Sequence, residues 1–122
     1  MTSPLGPQAA YQRFLGEGRF MLQYSPSANR YVLFPRVAVP GTGETDLEWV
    51  EARGTGTVYA ATVTRARSGD FNVVIVELDE GPRLMSRVDG ILEVAIGTRV
   101  GARIAEIDGE PAVVFDVIGD PV

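Results

Sequence analysis

Fourteen glycines and eight prolines are spread along 122 residues, and this punctuation limits the fold more than any other feature of the chain. In a helix interior each glycine costs about 1 kcal/mol and each proline about 3 kcal/mol relative to alanine. An all-helical bundle is therefore excluded. Short elements between turns remain, and the length allows one compact domain, or one domain with a small appendage. With 45% hydrophobic residues there is apolar material for a core, so disorder throughout is excluded as well.

Near the start, PQAAYQRFLG places Tyr11, Phe14 and Leu15 at i, i+3 and i+4, which predicts a short amphipathic helix over 7–16 with Pro7 in its first turn. FMLQY follows as a short apolar strand. The next stretch, SPSANRYVLFPRVAVPGTGETD, is rich in turn residues and is expected to be irregular or built of small hairpins. From Leu47 the texture changes to strands separated by turns, at about 48–53, 55–67, 72–79, 83–88, 99–107 and 112–118. Asp108-Gly109 is the sharpest hairpin signal, because a two-residue type I′ turn needs positive φ at both central positions. ILEVAI, at 91–96, is compatible with a strand or a single helical turn and reads as a connection. Five or six curving strands with glycines at the bends fit a small closed β-barrel, since closure removes exposed sheet edges.

The side chains that are missing narrow the chemistry. The chain has no Cys and no His, and all 11 basic residues are Arg. A Cys or Lys nucleophile, a His base and a Cys/His zinc site are thus unavailable within the chain, and so is any disulfide. No apolar run approaches the ~18 residues of a membrane span, and the first residues lack the pattern of a signal peptide. A cytoplasmic location is expected. Sixteen carboxylates against 11 arginines give a net charge of −5, the wrong sign for a general nucleic-acid binder.

Several motifs stand in a recognisable order: Gly18-Arg19-Phe20-Met21-Leu22-Gln23, Phe34-Pro35-Arg36, Leu47-Glu48-Trp49-Val50, Gly54-Thr55-Gly56-Thr57-Val58-Tyr59, Val76-Glu77-Leu78-Asp79-Glu80-Gly81 and Ile96-Gly97. In these the chain resembles the acyl-CoA-associated proteins in which a rubredoxin-like zinc ribbon precedes an OB-fold, catalogued as domain of unknown function 35. The resemblance implies a mainly β protein with an N-terminal helix and a ribbon segment over 1–46, followed by an OB-fold domain over 47–122. It also places Ser25, Ala28, Val39 and Thr42 where the family carries its four zinc-binding cysteines, with Pro40 and Gly43 retained. The ribbon is therefore degenerate, and neither a metal nor another cofactor is expected. Structural zinc supplies on the order of 10 kcal/mol of apparent folding free energy, so a metal-free ribbon must be held by other means.

The resemblance further implies a non-catalytic accessory or scaffold subunit. Its partner would be a thiolase-superfamily enzyme or a hot-dog-fold hydratase, with a coenzyme A thioester at the interface. Tyr24, Tyr31, Phe34 and Arg36 are the candidate partner contacts, being of the types enriched at binding hot spots. Trp49 reads as core. Period-two spacing pairs Arg83 with Arg87 and Arg99 with Arg103, and guanidinium forks suit phosphates. These four are the candidate phosphate or coenzyme A ligands, although outward arginines are also an ordinary solubilising surface. Glu77, Asp79 and Glu80 lie close together but lack a nucleophile beside them, and a turn-forming role is expected. The OB-fold alone raises an alternative, a single-stranded nucleic-acid binder, which needs a basic groove with stacking aromatics.

Overall fold

The computed structural model describes residues 6–33, 38–39, 41, 43, 45–119. The chain forms two compact units, one of Met1–Ala52 with Glu106–Ala112, the other of Arg53–Ala105 with Val113–Val122.

In the first unit α1 spans Pro7–Gly16, with proline in its first turn where a missing N–H costs nothing. Glu17 caps its end, and its N–H donates to the carbonyls of Arg13 and Phe14. β1 (Met21–Ser25) is the centre of a three-stranded antiparallel sheet, flanked by β2 (Arg30–Val32) and β3 (Glu48–Glu51). Met21, Leu22 and Gln23 are all buried, so β1 is covered on both faces and does not show simple alternation. The Phe14 ring meets Trp49 edge-on at 5.2 Å, in the geometry that aromatic quadrupoles favour. Trp49 is half-buried. Its strand, expected over 48–53 at the head of the barrel segment, belongs instead to this unit. β3 ends at Glu51 and pairs with β1, and the Ala52 N–H donates to the Phe20 carbonyl.

The second unit is built on a sheet in the order β6-β5-β4-β8-β9-β7. The strands of this sheet are β4 (Thr55–Thr64), β5 (Phe71–Leu78), β6 (Arg83–Ser86), β7 (Val88–Asp89), β8 (Arg99–Ile107) and β9 (Glu110–Gly119), of which residues 106–107 and 110–112 fall in the first unit. β5 shows why these residues form a strand: Asn72, Val74, Val76 and Leu78 are buried while Phe71 and Glu77 are exposed, the period of two expected of a sheet with one packed face. Phe115, Val58, Val100 and Val114 are also fully buried in the core.

The expected single strand over 83–88 is broken at Arg87, because the two halves serve opposite ends of the sheet. β6 pairs antiparallel with β5, and β7 pairs parallel with β9 in the register Val88↔Phe115. The Phe115 N–H donates to the Arg87 carbonyl at 3.0 Å, and Ser86 Oγ donates to the Val113 carbonyl at 2.6 Å. One continuous stretch, 83–89, thus joins both ends and closes the barrel.

Two glycine-dependent points fix the strands. Asp108 and Gly109 have φ of 53° and 82°, the paired positive values of a type I′ turn. At Gly56 a Cβ would stand 2.6 Å from the Glu77 carbonyl oxygen, so only glycine lets β4 approach β5 there. The 91–96 segment is neither helix nor strand, as expected. Among the described residues no helix is long and apolar enough to cross a membrane.

Candidate functional site

Two groups of side chains carry the features that the sequence singles out, one in each unit. In the first unit β1 and β2 form a hairpin in which Tyr24 stands directly opposite Tyr31. Their ring centroids are 4.7 Å apart, and Tyr24 Oη donates to Asn29 Oδ1 at 2.7 Å. Asn29 has φ of 52°, a left-handed conformation that asparagine tolerates better than most residues. Tyr31 is 37% exposed, so the hairpin presents an aromatic surface. Phe34 and Arg36, the other two candidate contacts, lie outside the described residues.

Hydrogen bonds are found at both places where the resemblance puts a zinc-binding pair. In the first, Ser25 is fully buried and its Oγ accepts the Ala28 N–H at 3.1 Å. Ser25 Oγ in turn donates to Asp46 Oδ1 at 2.6 Å, while Asp46 Oδ2 accepts the Ser27 N–H at 3.0 Å. These bonds hold the exposed Asp46 carboxyl below the usual carboxylate range, the Ser25 hydroxyl contributing most. In the second turn the Gly43 N–H donates to the Val39 carbonyl at 2.9 Å, and the Val39 side chain is buried. Thr42 lies outside the described residues. Among the described residues no group of three or more Asp or Glu side chains is placed to hold a metal ion. Sequence reasoning places Ser25 only at the position of a lost zinc-binding cysteine and misses its bond to Asp46. The Ser-Pro-Ser-Ala turn is the visible signal, but its partner lies 21 residues away.

In the second unit the four candidate phosphate ligands do not gather at one point. Arg83 Nε lies 3.2 Å from Glu77 Oε2, and its guanidinium sits 3.8 Å above the Tyr59 ring. Tyr59 occupies the β-bulge of β4, between Val58 and Ala60, which turns it outward to 44% exposure. Arg99 is bidentate to Asp79, at 2.8 and 2.9 Å, and also donates to Thr57 Oγ1. Arg87 and Arg103 are brought together by one carboxylate: Arg87 Nε lies 2.9 Å from Asp89 Oδ1, and Arg103 reaches Asp89 Oδ2 at 2.6 Å and Asp116 Oδ2 at 2.9 Å. The two carboxylates raise the pKa of Arg103, Asp116 contributing most. Period-two spacing pairs Arg83 with Arg87, but the break at Arg87 sends these two to different partners.

Glu77, Asp79 and Glu80 are likewise engaged. Glu77 holds Arg83, Asp79 holds Arg99 and accepts from Thr55 Oγ1, and Glu80 Oε2 accepts the Arg53 N–H at 2.7 Å. All three brace the turn that ends β5. The one hydroxyl among these partners, Thr55 Oγ1, donates to a carboxylate that Arg99 already holds at both oxygens.

A closed barrel whose third strand segment pairs antiparallel on one side and parallel on the other defines an OB-fold protein, here preceded in sequence by a segment that has no cysteine. The chain belongs to the DUF35 family, and residues 49–122 match the family model described as the C-terminal OB-fold domain of ChsH2. A solved structure described as the "Ltp2-ChsH2(DUF35) aldolase" contains a chain 26% identical to this one, with a TM-score of 0.78, covering 96% of this chain and 98% of that one. A protein of unknown function from the DUF35 family of Sulfolobus solfataricus shares the fold, with a TM-score of 0.65 at 12% identity, over 90% of this chain and 84% of that one. Among curated proteins no match is found.

Proposed function

We propose that this protein is a non-catalytic accessory subunit that binds an acyl-CoA enzyme of the thiolase superfamily, or a hot-dog-fold hydratase, stabilises it and helps to form its acyl-CoA site. The observation that carries this reading is the likeness, over nearly the whole of both chains, to a structure whose description joins ChsH2(DUF35) to Ltp2 as an aldolase. The chemistry of the chain supports it: there is no Cys, His or Lys, and the carboxylates at the end of β5 are occupied by arginine, a hydroxyl and a backbone N–H. Under this reading the Tyr24–Tyr31 hairpin, with Phe34 and Arg36, supplies partner contacts.

Nothing comparable favours single-stranded nucleic acid. Arg83, Arg87, Arg99 and Arg103 each face a carboxylate within 3.2 Å, whereas a nucleic-acid groove leaves its cations for phosphates. The test is affinity capture of the tagged full-length chain from its native host. Recovery of an acyl-CoA enzyme in fixed proportion is expected. Recovery of nucleic acid alone, or of the chain by itself at concentrations where such subunits assemble, would overturn the reading.

A further inference from the structure

A metal in a ribbon ties together stretches of chain that are far apart in sequence, and a chain that has lost the metal needs a replacement with the same reach. Around the first turn most of the side-chain bonds are local: Tyr24 to Asn29, Ser25 to Ser27 and Ala28 to Ser25 span five residues or fewer. The bonds to Asp46 span 21 and 19 residues. We infer that the Asp46 carboxylate stands in for the lost metal, as the tie that closes the first turn and orders the β1–β2 hairpin.

The geometry suits the role. A carboxylate has two oxygens and accepts several bonds at once, and Asp46 uses one oxygen for a hydroxyl and the other for a backbone N–H. Because the Ser25 hydroxyl gives its hydrogen to Asp46, its oxygen is left to accept the Ala28 N–H. Asp46 therefore sets the direction of the whole relay, Ala28 to Ser25 to Asp46. Ser25 is fully buried, where an unpaired hydroxyl is destabilising, so the tie is demanded from the inside. Bonds to an ionised acceptor are also the shorter and stronger kind. The buried Val39 side chain fills with hydrocarbon a position that a ligand would otherwise occupy.

Amide hydrogen exchange on the full-length chain tests the assignment, since it reads local opening residue by residue. In Asp46→Ala the amides of Ser27, Ala28 and the β1–β2 hairpin should exchange at least about tenfold faster, while the slow amides of β4, β5 and β8 stay as they were. Asp46→Asn separates the two oxygens: its carbonyl still accepts from Ser25, but its NH2 faces the Ser27 N–H. Exchange at Ser27 should then rise more than at Ala28, and this variant decides the matter if Asp46→Ala does not fold. Hairpin exchange within about twofold of the native chain in both variants would overturn the inference. So would loosening of the native hairpin by a chelator, or its restoration by zinc in Asp46→Ala.

Discussion

Arg99 grips Asp79 with both terminal nitrogens of its guanidinium, and the same carboxylate accepts the hydroxyl of Thr55. Three parts of the barrel, β8, the end of β5 and the start of β4, meet on one charged group. The arrangement is bidentate, the geometry in which Arg–carboxylate pairs are strongest.

This grip makes the barrel's stability pH-dependent in a stated direction. The bonds from Arg99, then that from Thr55, hold the Asp79 carboxyl down at about 2, below the ~3.9 of an unfolded chain. The folded state therefore binds fewer protons in this range, so the contribution is complete above the unfolded value and is lost as pH falls through about 4 towards 2. Acid unfolding of Asp79→Asn should show a shallower loss of stability over that interval than the native chain. Equal slopes would remove Asp79 from the account.

Gly56 predicts a second contrast. Adding a methyl group there sets it 2.6 Å from a backbone oxygen and 2.7 Å from Val76 Cγ1, so Gly56→Ala should cost about 1–3 kcal/mol as β4 and β5 move apart. Gly16, at the end of α1, has open space where a methyl group would stand, with nothing within 4 Å. Gly16→Ala should be neutral or stabilise by up to about 1 kcal/mol. Thermal melts of the two variants check both signs.

Asn72 offers a third. Its buried amide donates to the carbonyls of Val88 at 2.9 Å, Ile91 at 2.7 Å and Leu92 at 3.3 Å, and its Oδ1 accepts the Val88 N–H at 2.8 Å. Asn72→Ala leaves those backbone groups without their partner, at a cost of about 2–3 kcal/mol. Denaturant unfolding measures the loss, and amide exchange at Val88 should accelerate most.

For the proposed assembly, replacing Tyr31, Phe34 and Arg36 together with alanine should weaken co-purification with the enzyme by at least about 30-fold, the scale of a lost hot spot. The thermal transition of the barrel should stay nearly in place. Normal co-purification would put the contact elsewhere, and melting of the barrel with the triple variant would make these residues core.

How much of the fold is legible in the sequence is set by the range of the interactions. α1 at 7–16 and the Asp108-Gly109 turn are written in neighbouring residues, and both are found where local chemistry puts them. The alternation of β5 likewise needs no knowledge of its partners. The division of 83–88 into β6 and β7 is hidden, because it depends on β9, more than twenty residues further on. The arginines show the same limit: period two says which share a strand face, but not that Asp89 draws Arg87 and Arg103 together. Ser25 and Asp46 are legible only once the chain between them is folded.

The stretch 83–89 engages β5 on one side and β9 on the other, and so acts as a zip fastener for the cylinder. Its integrity has a consequence for solution behaviour. A protease nick or a slipped register within this stretch would undo the cylinder into a ribbon with two bare borders, each able to recruit backbone from another molecule. The native chain denies that opportunity to self-association by holding the fastener shut at Arg87 and Ser86.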